Sequence, residues 1–303
     1  MENFVLILLY LAIGLVMQRS SSIPAQTGLV LNQYVLYVAL PALVMLNVPK
    51  LTFSVELLLP ALVPWGLLVI TAGLVWAVSR ACHWDKATTA ALLVVLPLGN
   101  TSFLGFPMVQ AFFGDTGLTY AIIYDQAGSF LILASYAMVM AALFNPDVAA
   151  PSPRGIAKKI LLFPAFLALL LALMLRGWTY PPLMTSFLDS LAQTLVPTIM
   201  IAVGFQFQLK LDNKQGRPLL FALITKLLVV PAIALAVVWP LDVSPLLAQV
   251  TVFEAAMPVM VTAGAVAIGA NLAPRFVATL VGGSILLSLA TLPLWYWGLS
   301  YLY

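Results

Sequence analysis

The chain contains ten continuous apolar runs, and this feature limits most strongly what it can fold into. Most of the runs reach about 20 residues, the length that an α-helix needs to cross the hydrocarbon core of a bilayer. They do not alternate in short segments of about ten residues, so the pattern favours membrane helices over a closed β-barrel. The predicted spans are Phe4–Met17, Leu29–Val48, Leu57–Val78, Ala87–Phe113, Leu118–Phe144, Ile156–Leu175, Leu183–Leu209, Pro218–Trp239, Leu246–Ala270 and Phe276–Leu299.

Composition excludes a water-soluble fold. Hydrophobic residues make up 63% of the 303 residues and charged residues only 8%, with a mean hydropathy of +1.09. A soluble protein carries roughly 25% charged residues. A single cysteine, Cys82, and a single histidine, His83, exclude a disulfide framework and a site built from several thiolates or imidazoles. The net charge of +3 is scattered over loops and does not predict a nucleic-acid partner. We therefore expect an all-α integral membrane protein.

The distribution of basic residues predicts the orientation in the membrane. Loops after even-numbered spans hold only Lys50 and Arg176. Since cytoplasmic loops are enriched in Lys and Arg, loops after odd-numbered spans are expected in the cytoplasm and both termini on the outer side of the plasma (inner) membrane. The first span has no basic leader and no cleavage site, so it is not read as a signal peptide. Ten basic residues follow odd-numbered spans: Arg19, Arg80, Lys86, Arg154, Lys158, Lys159, Lys210, Lys214, Arg217 and Arg275.

The middle of the chain predicts two halves of opposite orientation. The Pro- and Ser-rich segment Asn145–Arg154 separates five spans from five spans. Because each half has an odd number of spans, the second half runs through the membrane in the opposite direction, as in an inverted repeat. The expected division is residues 1–144, a cytoplasmic linker over 145–155, and residues 156–303. A weak internal similarity between Leu40–Leu46 and Val196–Ala202 supports it.

Two spans contain helix breakers near their centres. The fourth contains LPLGNTSFLGFP (Leu96–Pro107) and the ninth contains FEAAMPVMVTAGA (Phe253–Ala265), with Pro258 in its middle. Proline removes a backbone donor and clashes with the preceding turn. The freed backbone groups cannot face lipid, so they face protein or water. Paired breaks at equivalent repeat positions indicate a transport site, where half-helix N-termini suit a carboxylate. The alternative is a pair of structural kinks.

Three ionisable residues lie inside predicted spans: Asp125, Lys226 and Glu254. Each costs several kcal/mol if charged and unpaired at mid-membrane, so such residues are retained for pairing, proton relay or ion binding. For both carboxylates a purely structural role is the alternative, for Asp125 a buried hydrogen-bonding network. Lys226 could extend to the cytoplasmic surface, or pair with a carboxylate or attract an anion. Asn47 and Gln206 close their spans and are expected to be interfacial.

Longer motifs resemble the auxin efflux carrier family. GNTSFLGFPMVQAFFGDTGLTYAIIYDQ (Gly99–Gln126) is similar to its fourth and fifth spans, and FEAAMPVMVTAGAVAIGANL (Phe253–Leu272) to its ninth. Similar segments occur along essentially the whole chain. The family is similar in fold to the bile-acid/sodium symporters. The resemblance implies ten transmembrane helices in two inverted five-helix repeats, with crossed, broken fourth and ninth helices. It also implies a scaffold of spans one, two, six and seven, often dimeric, so a homodimer is expected.

The resemblance also implies site residues. Asn100 matches the asparagine that contacts the substrate carboxylate, Pro97 and Pro107 match the prolines that flank it, and Pro258 matches the ninth-span proline. The expected coupling residues are Asp125, Glu254 and Lys226. The expected substrate-binding set is Asn100, Thr101, Ser102, Pro97, Gly105, Pro107, Met257, Pro258 and Thr262.

The sequence therefore predicts a secondary active transporter that moves a small organic anion by alternating access. The short mid-chain segment favours the microbial branch, whose members resemble permeases for malonate, malate or related acids. No cofactor is expected, only a proton or sodium ion as a coupling ion. Plant carriers tend to have an amide where Glu254 stands, and the carboxylate favours a cation-dependent cycle.

Other functions fit the sequence less well. A membrane channel or uniporter for an anion is the main alternative, but the polar residues concentrate at one depth and do not line a helix. An intramembrane enzyme is not expected, since no histidine lies in a span and neither HExxH nor GxSxG occurs. The sequence GxxxxGK[ST] is absent too, which argues against ATP-driven transport by this chain.

Overall fold

The computed structural model describes residues 2–50, 54–145, 151–207 and 216–303, and these residues are predominantly helical. The mid-chain residues 146–150 and the residues 208–215, which include Lys210 and Lys214, lie outside the described part. No strand occurs in the described ranges, apart from one isolated β-bridge. The helices are α1 Glu2–Gln18, α2 Thr27–Lys50, α3 Val55–Ala81, α4 Lys86–Val95, α5 Thr101–Phe144, α6 Pro153–Leu161, α7 Pro164–Met174, α8 Pro182–Gln206, α9 Gly216–Val238, α10 Pro245–Ala255, α11 Val261–Gly269 and α12 Pro274–Leu302.

Six of these helices are long and apolar enough to cross a membrane, or seven if the bent pair α6 and α7 is one span. The prediction of ten spans is not confirmed by length and composition. The predicted fourth and ninth spans are each divided into shorter pieces, and α1 has only 17 residues. The 44-residue α5 is itself interrupted at Gly114, whose φ of 69° is not helical. The multi-pass membrane character is clear, and the ten-span count stays a prediction.

Local sequence explains where many of the helices begin. Proline suits the first turn of a helix because its missing N–H has no intrahelical partner there. Asp85 starts α4 differently: its carboxylate accepts a hydrogen bond from the backbone N–H of Thr88 over 2.8 Å. Although burial alone raises the pKa of Asp85, its hydrogen bonds with Thr88 hold the pKa below its ordinary value. The prolines that open helices are Pro153, Pro164, Pro182, Pro245 and Pro274.

The chain forms two compact units, and each combines segments from both halves of the sequence. The first unit consists of Met1–Val55, Ser102–Ile122 and Lys158–Phe207. Within it, α1 packs along the second half of α8, and α7 packs against α2. These pairs join predicted span one to seven and span two to six, which is the crosswise pairing that two inverted repeats would produce. The division into repeats at 1–144 and 156–303 remains a prediction.

Two glycines allow the close approach of α1 and α8. A Cβ atom on Gly14 would meet the carbonyl oxygen of Ile201, and one on Gly204 would meet the carbonyl oxygen of Leu11. Small residues permit such close backbone packing between membrane helices, where van der Waals contact and not the hydrophobic effect holds helices together. The α1–α8 contact therefore depends on both glycines.

The second unit consists of Glu56–Thr101, Ile123–Ala157 and Gln208–Tyr303. In it, α3 packs against residues Tyr124–Ser129 of α5, where the indole N–H of Trp65 donates a hydrogen bond to the carbonyl of Ala127 over 3.0 Å. Apolar side chains of α4, α11 and α12 form a continuous buried core. This core includes Leu96 and Leu98, which follow α4, and Val259 and Met260, which precede α11.

Candidate functional site

Two helix breaks meet inside the second unit. The backbone N–H of Asn100 donates a hydrogen bond to the carbonyl of Pro258 over 2.8 Å, and the N–H of Met260 donates to the carbonyl of Leu98 over 3.1 Å. These two bonds flank the antiparallel β-bridge between Gly99 and Val259. We call residues 98–100 and 258–260 the crossing. Each break therefore supplies hydrogen-bond partners for the backbone groups of the other.

A serine from a third helix completes the backbone pairing. The N–H of Val259 donates to Oγ of Ser284 on α12 over 3.1 Å, and that hydroxyl in turn donates to the carbonyl of Val281 over 2.9 Å. Ser284 is fully buried. Sequence reasoning did not single it out, because a lone serine in an apolar helix gives no signal of its own.

The side chain of Asn100 reaches the crossing with free hydrogen-bonding capacity. It is 2% exposed, and its amide nitrogen Nδ2 has no hydrogen-bond partner among the described residues. A buried donor without a partner costs about 1–3 kcal/mol, and a ligand or a water molecule that supplies an acceptor would remove this cost. An anionic oxygen would satisfy it.

Asp125 is held by two donors. The hydroxyl of Thr101 donates to its Oδ1 over 2.6 Å, and the side-chain amide of Gln126 donates to its Oδ2 over 2.8 Å. All three residues are buried in the second unit. The arrangement matches the buried network that the sequence left open as the alternative for Asp125. Gln126 is a partner that the sequence analysis had not named.

Glu254 contrasts with Asp125. It lies at the end of α10 with 0% of its surface exposed, and neither carboxylate oxygen has a hydrogen-bond partner among the described residues. Asp125 and Lys226 are near enough to interact with it electrostatically. A fully buried carboxyl group in this situation needs a proton or a cation. Glu254 is therefore the most incompletely satisfied acidic group of the described chain.

The ammonium group of Lys226 lies at the crossing. Lys226 is 2% exposed, and a Cβ atom added to Gly99 would lie 3.3 Å from its Nζ and 3.5 Å from the backbone oxygen of Glu254. Its charged end therefore does not extend to the surface, which removes that alternative for Lys226. The missing side chain of Gly99 leaves the space that the ammonium group uses. Gly99 was part of a recognised motif but was not predicted as a site residue.

The structure gathers only part of the predicted set. Pro97, Asn100, Thr101, Met257 and Pro258 are buried in the second unit at or next to the crossing. Thr262 is exposed on α11. Ser102, Gly105 and Pro107 belong to the first unit, and Pro107 lines a cavity there. Within the described ranges no group of three or more His, Cys, Asp or Glu side chains lies close enough to hold a metal ion.

Comparison with known proteins agrees with this membrane architecture. The family described as "Membrane transport protein" matches residues 1–296. An uncharacterized transporter of Methanothermobacter thermautotrophicus is 27% identical over 299 residues, which cover 97% of this chain and 96% of the relative. An uncharacterized transporter of Methanocaldococcus jannaschii is 24% identical over 311 residues, covering 98% of each chain. The resemblance to the auxin efflux carrier family drawn from the sequence is confirmed.

Proposed function

The chain belongs to the membrane transport protein family, and from this premise we propose that it is a secondary transporter that moves a small organic anion by alternating access. The observation that carries the proposal is the buried crossing, where an unpartnered amide and an ammonium group lie close to two broken helices. Broken helices with backbone pairing at membrane depth are typical of transport sites and do not occur facing lipid.

The chemistry of the crossing favours an anionic solute. Asn100 offers amide hydrogens that no described residue accepts, and Lys226 offers a positive charge. Both groups bind a carboxylate, the amide by hydrogen bonds and the ammonium by charge-assisted ones. We assign Asn100 and Lys226 to the solute carboxylate and Thr101 to the positioning of Asp125. We assign Met257 and Pro258 to the ninth-span side of the same site.

Glu254 is the group that we assign to coupling. Asp125 already accepts two hydrogen bonds, whereas neither oxygen of Glu254 accepts any from the described residues. When the neighbouring Lys226 is protonated, its positive charge disfavours the binding of a second full cation such as sodium. A proton on Glu254 satisfies the buried carboxyl group without adding that repulsion. The coupling ion in this proposal is therefore the proton.

The finer topology belongs to the same proposal. In it, the transporter has ten spans in two inverted repeats and both termini on the outer side of the inner membrane. Two copies of the chain form a homodimer. The crossing, Lys226 and both buried carboxylates belong to the second compact unit, so they can move as one body during the cycle. No cofactor takes part.

Uptake into proteoliposomes tests the proposal. Labelled malonate, malate and an aromatic carboxylate are supplied while a proton or a sodium gradient is imposed separately. We expect saturable uptake of at least one acid, driven by the proton gradient and reduced at least tenfold in Asn100→Ala. Uptake that follows voltage alone with no saturation would favour a channel. Uptake driven by sodium alone would contradict the assignment of the proton.

A further inference from the structure

Two adjoining cavities lie within the first unit, and no residue of the crossing lines either of them. The larger has a volume of about 460 Å³ between α1, α5 and α8, and Pro107 lies in its wall. The smaller has a volume of about 240 Å³ between α2, α5 and α8. Gln110, Asp115 and Gln193 line both, so the cavities meet at these side chains. A combined space of this size suits a small solute.

The smaller cavity, which we call the Lys50 cavity, carries separated charges of both signs. Lys50 lies on the α2 side, with Asp115 and Asp189 on the α5 and α8 sides. Among the described residues Lys50 has no ion-pair partner. Asp115 accepts a hydrogen bond from Gln110 over 2.9 Å, and Asp189 accepts one from Gln193 over 2.7 Å. Neutral amides therefore bind both carboxylates, and among the described residues neither carboxylate forms an ion pair with Lys50.

A buried amide strengthens the case for a ligand. Asn47 lines the Lys50 cavity although it is only 5% exposed. One of its amide hydrogens is donated to the carbonyl of Leu43 over 3.0 Å, and this is the only hydrogen bond of its side chain in the described chain. Its carbonyl oxygen and second amide hydrogen are therefore available. Asn47 and Lys50 are three residues apart on α2, so they project from the same face.

We propose that the Lys50 cavity is a second binding site for the solute and selects a small monocarboxylic acid that also carries a hydroxyl or amino group. Lys50 and the free amide hydrogen of Asn47 bind the carboxylate. Asp115 or Asp189 accepts a hydrogen bond from the hydroxyl or ammonium group. A second carboxylate on the solute would instead meet these two negative charges and be repelled. The inference rests on the proposed function. It narrows the solute class to monocarboxylates, and with an amino group it extends that class to zwitterions.

Equilibrium binding to the purified full-length protein in nanodiscs tests the site, with labelled L-lactate, L-alanine and propionate as probes. Lactate and alanine differ from propionate by a single hydroxyl or ammonium group. We expect one or both to bind about tenfold more tightly than propionate, since a hydrogen bond to a charged acceptor is lost in propionate. Tighter binding of lactate would identify the donor as a hydroxyl group, and tighter binding of alanine would identify it as an ammonium group.

Variants separate the two ends of the solute. In the Asn100→Ala background, Lys50→Gln should weaken the binding of all three acids at least tenfold, whereas Lys50→Arg should retain it. Asp115→Ala combined with Asp189→Ala should remove the preference over propionate while propionate still binds. Lys86→Gln, which changes the net charge equally at an exposed lysine outside the cavity, serves as the control and should bind as the unaltered protein does.

Binding is also measured in Asn100→Ala, in which the crossing is impaired. Residual binding that is lost in Asn100→Ala combined with Lys50→Gln supports a separate site. Equal affinity for the three acids, unchanged by Lys50→Gln in a protein that elutes as a single folded species, overturns the inference. If acids are still taken up in that case, the proposed function stands. If no acid is bound or taken up, both fall.

Discussion

The backbone amide of Asn100 donates to the carbonyl of Pro258 over 2.8 Å, and these residues are 158 positions apart in the chain. The bond connects two helix breaks that would otherwise leave unpaired backbone groups in the protein interior, which carries a cost in free energy. Because each break supplies hydrogen-bond partners for the other, the backbone groups of one break are not satisfied without the other. The two breaks therefore form one structural element, and the side chains on both lie close together.

Replacement of Gly99 should act through Lys226. In Gly99→Ala the new Cβ would lie 3.3 Å from the flexible end of Lys226, and we expect a loss of uptake of only a few-fold. In Gly99→Val the branched side chain displaces the ammonium group, and uptake should fall by about tenfold or more, equivalent to 1.4 kcal/mol. Initial rates in proteoliposomes measure both. Gly298→Val, where nothing lies within 4 Å of the added Cβ, is the control.

Thr101 should matter through its hydroxyl. Thr101→Val keeps the shape of the side chain but removes the hydrogen bond to Asp125, leaving one buried carboxylate oxygen with one donor fewer. Loss of a hydrogen bond to a charged group costs about 1.5–3 kcal/mol, so uptake should fall roughly 10- to 100-fold. Thr101→Ser retains the donor and should remain active. Equal rates for the valine and serine variants would show that the bond does not contribute.

Ser284 should contribute to stability through the crossing. Ser284→Ala leaves the buried N–H of Val259 unpaired, which costs about 1–3 kcal/mol. Ser288→Ala is a matched control on the same helix, since within the described ranges that buried hydroxyl bonds only to Ile285 of its own helix. Thermal unfolding of the two purified variants should give a clearly lower midpoint for Ser284→Ala. A smaller decrease than that of Ser288→Ala would contradict this role.

The α1–α8 contact provides a separate prediction. Gly204→Ala brings a methyl group against the backbone of Leu11, and overpacking of this kind costs about 1–3 kcal/mol. The apparent melting temperature should therefore decrease. Gly66→Ala, on α3 where nothing lies within 4 Å, should be neutral or slightly stabilising because alanine favours helices. A midpoint for Gly204→Ala equal to that of the Gly66 variant would exclude tight packing at this contact.

Much of the fold follows from the sequence, because lipid forces backbone groups to pair within helices and long apolar runs mark those helices. The positions of the breaks were also predictable. Pro97 and Pro258 each remove a backbone donor within an apolar run and clash with the preceding turn, and Gly99 lowers the cost of leaving the helix. The number of spans was less certain, because broken helices such as α10 and α11 are shorter than a bilayer. Residues 146–150 and 208–215 leave parts of two predicted cytoplasmic loops outside the described structure.

The candidate site was predicted only in part, because the sequence does not show which side chains contact each other. Intramembrane charge identified Asp125, Lys226 and Glu254 directly. Sequence could not reveal that Thr101 and Gln126 hold Asp125, nor that Glu254 has no donor among the residues that the structure describes, because these facts depend on which side chains meet. Ser284 is inconspicuous among the small residues of α12. Thr262 lies close to Pro258 in the chain but on an exposed position of the next helix.

The most direct test of the central claim compares accumulation with exchange in Glu254→Gln. A glutamine preserves the size of the side chain but carries no titratable proton. In proteoliposomes, we expect this variant to exchange labelled for unlabelled solute across the membrane while losing uphill accumulation under an imposed proton gradient. Asp125→Asn is run in parallel and should retain gradient-driven accumulation if it exchanges solute at all. Accumulation by Glu254→Gln at the level of the unaltered protein would contradict the assignment of coupling to Glu254.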